Sequence, residues 1–438
     1  MYLRARYWLL RSISSVLNKP CNLLSARYHT EGCCPELTEG ESKLLMTDVR
    51  AELQKIVGAS VKWSEHLQST KERASLSSLL VESQDSLPCR HMKDSYLEAY
   101  LPLGSQLLLR EKYLNVHNLV RFGRILEDLD SFGVLISYKH TKTDSPQSHF
   151  SIVTALVDEI DLVKDVILPD CDMKFTGHVT WVGKSSMEVQ MHVSQFQHGS
   201  FNPILQATFV MVARDPSNKR AAFVNPLKLM SPEEENLFEQ GKLNKARRTT
   251  IKETSLLRTA PNEDERKIVH EMFLETLDAK TVSFRSRILP KNSVWMEDTK
   301  LKSLEICHPQ ERNIFNKIFG GFLMRKAFEL AWANACVYGG SRPYPVAVDD
   351  IVFQKPVEIG ALLYLSSQVC YTKGNYIQVR VHSTVVDPVS KDHHTTNIFH
   401  FTFGSEKDVM QVFPKSYGES MLYLDGKRHF KARLSNEK

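Results

Sequence analysis

The sequence contains no apolar run that approaches the roughly 20 residues needed for a membrane-spanning helix, which excludes an integral membrane segment of that kind. Only 19 glycines and 18 prolines occur among 438 residues, so collagen-like and low-complexity architectures are excluded as well. With 42% hydrophobic residues, the chain can bury a large core. Its length favours two or three domains.

None of the eight cysteines forms a C-x-x-C motif, and no group of histidines has the spacing of a zinc site. We therefore expect no bound metal. Cysteines without a pairing pattern favour free and mostly buried thiols in a reducing compartment.

Acidic residues are missing from residues 1–30, which carry five basic residues. This segment contains arginine and serine and is roughly amphipathic, which predicts a transit peptide and a protein of the mitochondrial matrix, with the inner membrane as a site of association. A disordered basic tail is the alternative. The rest of the chain has 51 of the 56 basic residues against 51 acidic ones. Because the body is neutral, we do not expect nucleic acid as a partner.

The chain repeats itself. Residues 187–193 (MEVQMHV) match 377–383 (IQVRVHS), an offset of 190 positions. Residues 155–162 (ALVDEIDL) match 346–353 (VAVDDIVF), an offset of 191 positions. Two matches at nearly one offset indicate an internal duplication.

Each repeat consists of a long helical segment followed by about four segments in which apolar residues alternate with polar ones, as in half-buried strands. The helical segments are 120–138 and 318–340. One helix against an antiparallel sheet is an α+β plan. The predicted divisions are a leader 1–30, an N-terminal arm 31–90, a first repeat 91–215, a helical linker 216–285, a second repeat 286–405 and a C-terminal tail 406–438.

Gly320 and Gly321 begin the second long helix, and Gly339 and Gly340 end it. Glycines at a helix N-terminus leave backbone N–H groups accessible to a phosphate or a developing oxyanion. The alternative is that they only form a tight loop.

The first long helix carries three acids, of which Asp130 lies one turn after Leu126 at the edge of the predicted buried face. Glu127 and Asp128 are expected to point further outward, and a solvated acidic face is the alternative for all three. A partly buried Asp130 could orient a water, act as a general base or act as a nucleophile. At the corresponding edge of the second helix stands Phe328, which can do none of these.

Residues 313–329 (NIFNKIFGGFLMRKAFE), the V-D-D-I-x-F-x-K-P-V run and the duplication resemble the double-hotdog acyl-coenzyme A thioesterases over residues 90–405. The resemblance implies a tandem hotdog fold, in which an antiparallel sheet wraps a long helix in each repeat. It also implies a mitochondrial enzyme that hydrolyses fatty acyl-coenzyme A to free fatty acid and coenzyme A. By this resemblance we expect a homo-oligomer, either a trimer of double hotdogs or a dimer.

In that family an Asn lies eight residues before the second Gly of the pair, and an Asp lies seven residues after it. The resemblance therefore implies one complete site, which joins Asn313 of the second repeat to Asp130 of the first. The other site would pair Asn115 with Phe328 and lacks its carboxylate.

In the implied reaction, the Gly321 N–H stabilises the oxyanion, Asp130 activates water or attacks, and Asn313 positions the water or the thioester. A cap at the start of the helix is the alternative role of Asn313. Coenzyme A is part of the substrate and the product, so no cofactor is expected. Its phosphates require cations, and the candidates are Lys184, Lys373, Arg312, Arg325 and, with less support, Lys317.

Two other classes of function remain open. One is a hotdog hydratase or dehydratase, for which His117 lacks an aspartate at hydrogen-bonding spacing. The other is a non-catalytic scaffold that binds acyl-coenzyme A, since the loss of a carboxylate at Phe328 shows that one site has already degenerated.

Overall fold

The computed structural model describes residues 34, 43–58, 62–143, 148–163, 166–278, 280–281, 284 and 286–434. The predicted leader 1–30 lies outside the described residues.

A ten-stranded antiparallel sheet forms the body of the protein, with the strand order β1-β3-β4-β5-β2-β8-β11-β10-β9-β7. A further parallel pair joins β6 to β12. The strands are β1 Leu97–Leu101, β2 Ser151–Leu162, β3 Met173–Val182, β4 Ser186–Gln197, β5 Ser200–Arg214, β6 Ser293–Trp295, β7 Leu301–Ile306, β8 Tyr344–Phe353, β9 Leu362–Lys373, β10 Tyr376–Val386, β11 His393–Gly404 and β12 Gln411–Phe413.

The strand order reads the same from both edges of the sheet. β1-β3-β4-β5-β2 in the first half corresponds to β7-β9-β10-β11-β8 in the second half. The halves meet where β2 pairs with β8, with Leu156 opposite Val352 and Ile160 opposite Val348. The duplication in the sequence is therefore a duplication of one five-stranded unit.

Eight α-helices accompany the strands in the described part of the chain. They are α1 Val49–Val57, α2 His66–Ala74, α3 Leu107–Arg110, α4 Phe122–His140, α5 Pro232–Glu253, α6 Glu263–Glu275, α7 Gly320–Gly339 and α8 Tyr417–Leu434. The long helices α4 and α7 pack against each other, and each packs against strands of its own half. This arrangement confirms the predicted α+β tandem hotdog fold.

The ends of the helices follow from local sequence. α7 ends before Gly340, whose φ of 61° is left-handed backbone that favours glycine. α5 begins after Ser231, whose hydroxyl accepts a hydrogen bond from the Glu234 N–H, with Pro232 at the first helical position. Ala327, Ala331 and Ala335 form a buried stripe on α7.

Three segments outside the repeats pack on this body. The arm helix α1 packs against α4, the linker helix α5 packs on β3, and the C-terminal helix α8 packs on β9 and β10. No helix in the described ranges is long and apolar enough to cross a membrane.

Neither Glu127 nor Asp128 on α4 points into solvent as predicted. Glu127 is only 3% exposed, because α4 is buried on a second face where it packs against α7. Asp128 is half-buried and accepts a hydrogen bond of 2.8 Å from the Tyr113 hydroxyl.

Candidate active site

Asp130 joins the two halves of the molecule. It lies on α4 of the first half and is 2% exposed. Its Oδ1 accepts a hydrogen bond from the Thr154 hydroxyl on β2. Its Oδ2 accepts a hydrogen bond of 2.7 Å from the Gly321 N–H, in the first turn of α7 of the second half. The carboxylate thus lies at a helix N-terminus, where the helix dipole favours negative charge.

The surroundings of Asp130 place its pKa near the physiological range. Burial raises the pKa of Asp130 to about 6, and hydrogen bonds from Thr154 and Gly321 together with the positive charge of Arg50 oppose that rise. A carboxylate with such a pKa is mostly ionised at neutral pH and is still basic enough to accept a proton.

The glycines at the start of α7 are required by close packing. A Cβ at Gly320 would lie 3.0 Å from Asp130 Oδ2. A Cβ at Gly321 would lie 2.8 Å from the Glu127 Cα, which belongs to the backbone of α4. The two helices therefore approach each other at a distance that a larger residue would prevent.

Asn313 belongs to a tight loop before α7. Its Oδ1 accepts hydrogen bonds from the N–H groups of Phe315, at 2.8 Å, and Lys317, at 3.1 Å. Asn316 in the same loop has a φ of 58°. The oxygen of Asn313 is therefore committed to the loop and does not cap α7, whose N-cap residue is Phe319. Its side-chain NH₂ is the group with which it could meet a ligand.

The equivalent loop before α4 has the same construction. Asn115 Oδ1 accepts from the N–H groups of His117 and Leu119, and Asn118 has a φ of 56°. The loops of both halves have thus kept the geometry of the ancestral unit.

Asp130 and Asn313 line one cavity of about 630 Å³, together with Thr154 and Gly320. The first half, the second half and the arm helix α1 all contribute to its walls. Among the lining residues Asp130 is the only acid, and there are five cations: Arg50, Arg214, Arg312, Lys317 and Lys355. The excess of cations among the lining residues favours an anionic ligand.

The structure separates the predicted phosphate contacts from one another. Arg312 lines the cavity, as does Lys317, which is ion-paired with Glu358. Lys184 is exposed in the turn that follows β3, and Lys373 is exposed as the last residue of β9. Neither lysine lines the cavity.

The proposed role of Arg325 as a phosphate contact is wrong for this structure. Arg325 is 8% exposed, and its Nε lies 2.9 Å from Glu127 Oε1 in an ion pair between α7 and α4. The guanidinium is occupied by this buried pair because α4 and α7 cross at this point, which the sequence of either helix alone does not reveal.

The position that corresponds to Asp130 in the second half is filled by aromatic rings. Phe328 packs edge-on against Phe122, with ring centroids 5.0 Å apart, and against Phe401 and Phe403 of β11. Phe122 itself stands where α7 has Gly320. Phe122 and Phe328, which stand at the positions of Gly320 and Asp130, therefore contact each other. Their rings fill the space that the glycine and the carboxylate leave open in the first site.

Sequence analysis missed several residues of the cavity. Thr154 could have been predicted from the sequence, since it lies in a predicted strand in which every second side chain points toward the helix. Arg50 could not have been predicted, because its place depends on how the N-terminal arm packs against the repeats. The Arg50 guanidinium carbon lies 4.6 Å from the centroid of the Phe319 ring, at the start of α7.

The fold and the buried carboxylate at a helix N-terminus define a double-hotdog protein with the site of a hydrolase. No protein-family model matches the chain. It is 66% identical over 384 residues to the mitochondrial acyl-coenzyme A thioesterase 9 of Homo sapiens. This match covers 87% of the chain and 88% of the relative. The Bos taurus protein of that name is 64% identical over 404 residues, or 92% of each chain. The chain belongs to the family of acyl-coenzyme A thioesterases.

A solved structure of lower similarity is the acyl-CoA hydrolase of Staphylococcus aureus in complex with butyryl coenzyme A, coenzyme A and coenzyme A disulfide. Its TM-score is 0.32 and its identity 24%, and the match covers 33% of this chain and 92% of that chain.

Proposed function

We propose that this enzyme hydrolyses fatty acyl-coenzyme A to a free fatty acid and coenzyme A at one composite site per chain. The observation that carries this proposal is the hydrogen bond from the Gly321 N–H of the second half to the Asp130 carboxylate of the first half. It supports a reaction in which a base and a helix N-terminus act on one bound group.

In the proposed reaction the thioester carbonyl lies at the N-terminus of α7. A water oxygen attacks the carbonyl carbon and gives a proton to Asp130, and the oxyanion accepts hydrogen bonds from first-turn N–H groups. The C–S bond then breaks, and the coenzyme A thiolate takes up a proton. Gly321 does not line the cavity and its N–H already donates to Asp130, so it can stabilise the oxyanion only if that N–H is shared between the carbonyl oxygen and Asp130. Direct attack by Asp130, through an acyl anhydride, is the alternative route.

We further propose that the side-chain NH₂ of Asn313 donates to the attacking water or to the thioester. Arg312, Lys317 and Lys355 provide positive charge for the phosphates of coenzyme A. In this proposal no cofactor takes part, because coenzyme A belongs to the substrate and the product.

The composition of the cavity favours hydrolysis over hydration. The described lining residues include no histidine, whereas the hydratase alternative relies on an Asp–His pair. His117 instead lies beside Trp332, with ring centroids 6.1 Å apart.

Release of free thiol from acyl-coenzyme A substrates of several chain lengths tests the proposal. We expect Asp130→Asn to lower kcat by about 10²- to 10⁴-fold, the usual contribution of a general base. The matched control is Asp128→Asn on the same helix, which replaces a carboxyl group that does not line the cavity and should leave the rate within about twofold. Equal rates in wild type and Asp130→Asn would mean that another group is the base, and absence of thiol release from wild type would favour the non-catalytic scaffold.

We propose the mitochondrial matrix as the location. The acid-free leader supports this proposal, and so do the mitochondrial relatives. A fluorescent protein carrying residues 1–30 should enter the matrix, and cytosolic fluorescence would contradict the proposal.

We also propose a homo-oligomer, with a trimer of double hotdogs preferred over a dimer. The edge strand β7 supports further assembly, because its Leu304 and Ile306 side chains are about half exposed. Light scattering on the eluted protein distinguishes a trimer from a dimer and from a monomer.

A further inference from the structure

A cluster of histidine and aspartate side chains lies where the C-terminal helix α8 packs on the sheet, apart from the catalytic cavity. Among the described residues, His400, Asp425 and His429 form the one group whose potential metal-ligating atoms all lie within 4.8 Å of one another. His400 belongs to β11, and the other two lie four residues apart on one face of α8. None of the three lines the catalytic cavity.

We propose that His400, Asp425 and His429, with Asp350 of β8 as a fourth ligand, bind one divalent transition-metal ion that fastens α8 to the sheet. Imidazole nitrogen and carboxylate oxygen are ligands that Zn²⁺ accepts in four-coordinate sites. Two imidazole nitrogens and two carboxylate oxygens would complete a four-coordinate set of ligands.

The distances fit an ion better than they fit direct hydrogen bonds. His400 Nε2 lies 3.8 Å from Asp425 Oδ2, and His429 Nδ1 lies 3.6 Å from Asp350 Oδ2. Hydrogen bonds between such atoms are roughly 2.7–3.2 Å long. Donor atoms around a tetrahedral zinc with bonds of about 2.0–2.1 Å are separated by about 3.3 Å. Both separations therefore lie within about 0.5 Å of the value that a tetrahedral ion requires.

Burial and backbone conformation support a built site. His400 is 5% exposed, and Nε2 is the ring nitrogen that faces Asp425. Asp350 has a φ of 43°, left-handed backbone that is unusual for a residue other than glycine. This conformation falls where the pairing of β8 with β11 shifts register. Strained backbone of this kind persists where the surrounding structure holds it, often at ligand sites.

Two features define what the metal would have to change. The His400 and His429 rings stack with centroids 3.8 Å apart, so one ring must rotate for both nitrogens to point at one ion. Arg380, opposite His400 on β10, already supplies positive charge to Asp425. The competing arrangement is therefore a metal-free ion-pair cluster.

The test uses the full chain after dialysis against a chelator, titrated with ZnCl₂ by calorimetry. We expect one Zn²⁺ per chain and a rise of several degrees in Tm. His429→Gln and Asp425→Asn should each weaken binding at least about tenfold. Both residues are partly exposed on α8, so these variants are expected to fold. The matched control is His382→Gln, a strand histidine that bonds Thr395 outside the cluster, which should bind zinc like wild type.

A second readout is the visible absorption of bound Co²⁺, which reports tetrahedral coordination in wild type and should disappear in both cluster variants. Absence of zinc uptake, or unchanged uptake in His429→Gln and Asp425→Asn, would overturn the proposal and leave the ion-pair cluster. Neither readout depends on thioester hydrolysis, so failure here is separate from failure of the proposed function.

Discussion

Asp130 holds both carboxylate oxygens in hydrogen bonds, one within its own half and one to the other half. Its place on the edge of α4 could be predicted from the spacing of apolar residues on that helix. Its partners could not, because Thr154 follows 24 residues later and Gly321 follows 191 residues later. Contacts over such separations depend on packing that local patterns do not encode.

Glu127 and Arg325 occupy equivalent positions, four residues after Gly123 and four residues after Gly321. The crossing of α4 and α7 places them against each other, 2.9 Å apart. In a symmetric dimer of identical units, this position would face a copy of itself. In this duplicated chain the two equivalent positions differ, and one is acidic and the other basic.

This buried pair leads to a prediction about stability. Glu127→Leu should destabilise the fold by about 3 kcal/mol, because Arg325 is left buried with only more distant partners. Glu311 and Glu329, each 4.0 Å from the guanidinium, keep the loss at the low end of the usual range. The double variant Glu127→Leu with Arg325→Met should recover most of that loss. Urea unfolding measures both, and a double variant less stable than Glu127→Leu would contradict this account.

At the scale of elements, the alternation of apolar and polar residues predicted about four strands after each long helix. The structure has four in each half, β2–β5 after α4 and β8–β11 after α7. These strands could be predicted because each has one face in the core, which gives the alternating pattern. The burial of Glu127 could not be predicted, since α4 has a second buried face that packs against α7. The docking of the arm on the cavity was equally hidden.

The arm helix α1 provides a wall of the cavity, so its Arg50 should affect catalysis. Arg50 opposes the rise of the Asp130 pKa. Arg50→Gln should therefore shift the acid limb of the kcat/KM profile to higher pH, and it should lower kcat/KM by about twofold at neutral pH and by more at lower pH. Lys55→Gln is the matched control, since this lysine is exposed on the same helix and outside the cavity. Identical pH profiles for Arg50→Gln and Lys55→Gln would exclude the assigned influence.

The whole molecule keeps the symmetry of two hotdog units but has lost the symmetry of their sites. Both Asn loops are preserved, whereas the positions of Gly320 and Asp130 are taken in the other site by Phe122 and Phe328. This asymmetry was predictable from the sequence, because it follows from aligning the repeats. That the two aromatic replacements contact each other could only be seen in the structure.

The asymmetry predicts that Phe328 has a structural role alone. Phe328→Ala should lower the free energy of unfolding by about 3–5 kcal/mol, as expected for truncation of a buried aromatic ring. The rate of hydrolysis per folded molecule should stay within about twofold. Thermal unfolding and thiol release on the same sample measure the two effects. A loss of activity without loss of stability would mean that the second site contributes to catalysis.

The central claim is that Asp130 is the base. The pH dependence of kcat/KM tests it most directly, because it reports the pKa of the base in the free enzyme. Asp130 must be ionised to accept a proton, and its pKa is raised to about 6. The rate should therefore fall as the pH drops through about 6 and reach a plateau above it. Asp130→Asn should lose this acid limb together with nearly all turnover. A wild-type profile that is flat between pH 5 and 8, or an unchanged limb in Asp130→Asn, would contradict the assignment of Asp130 as the base.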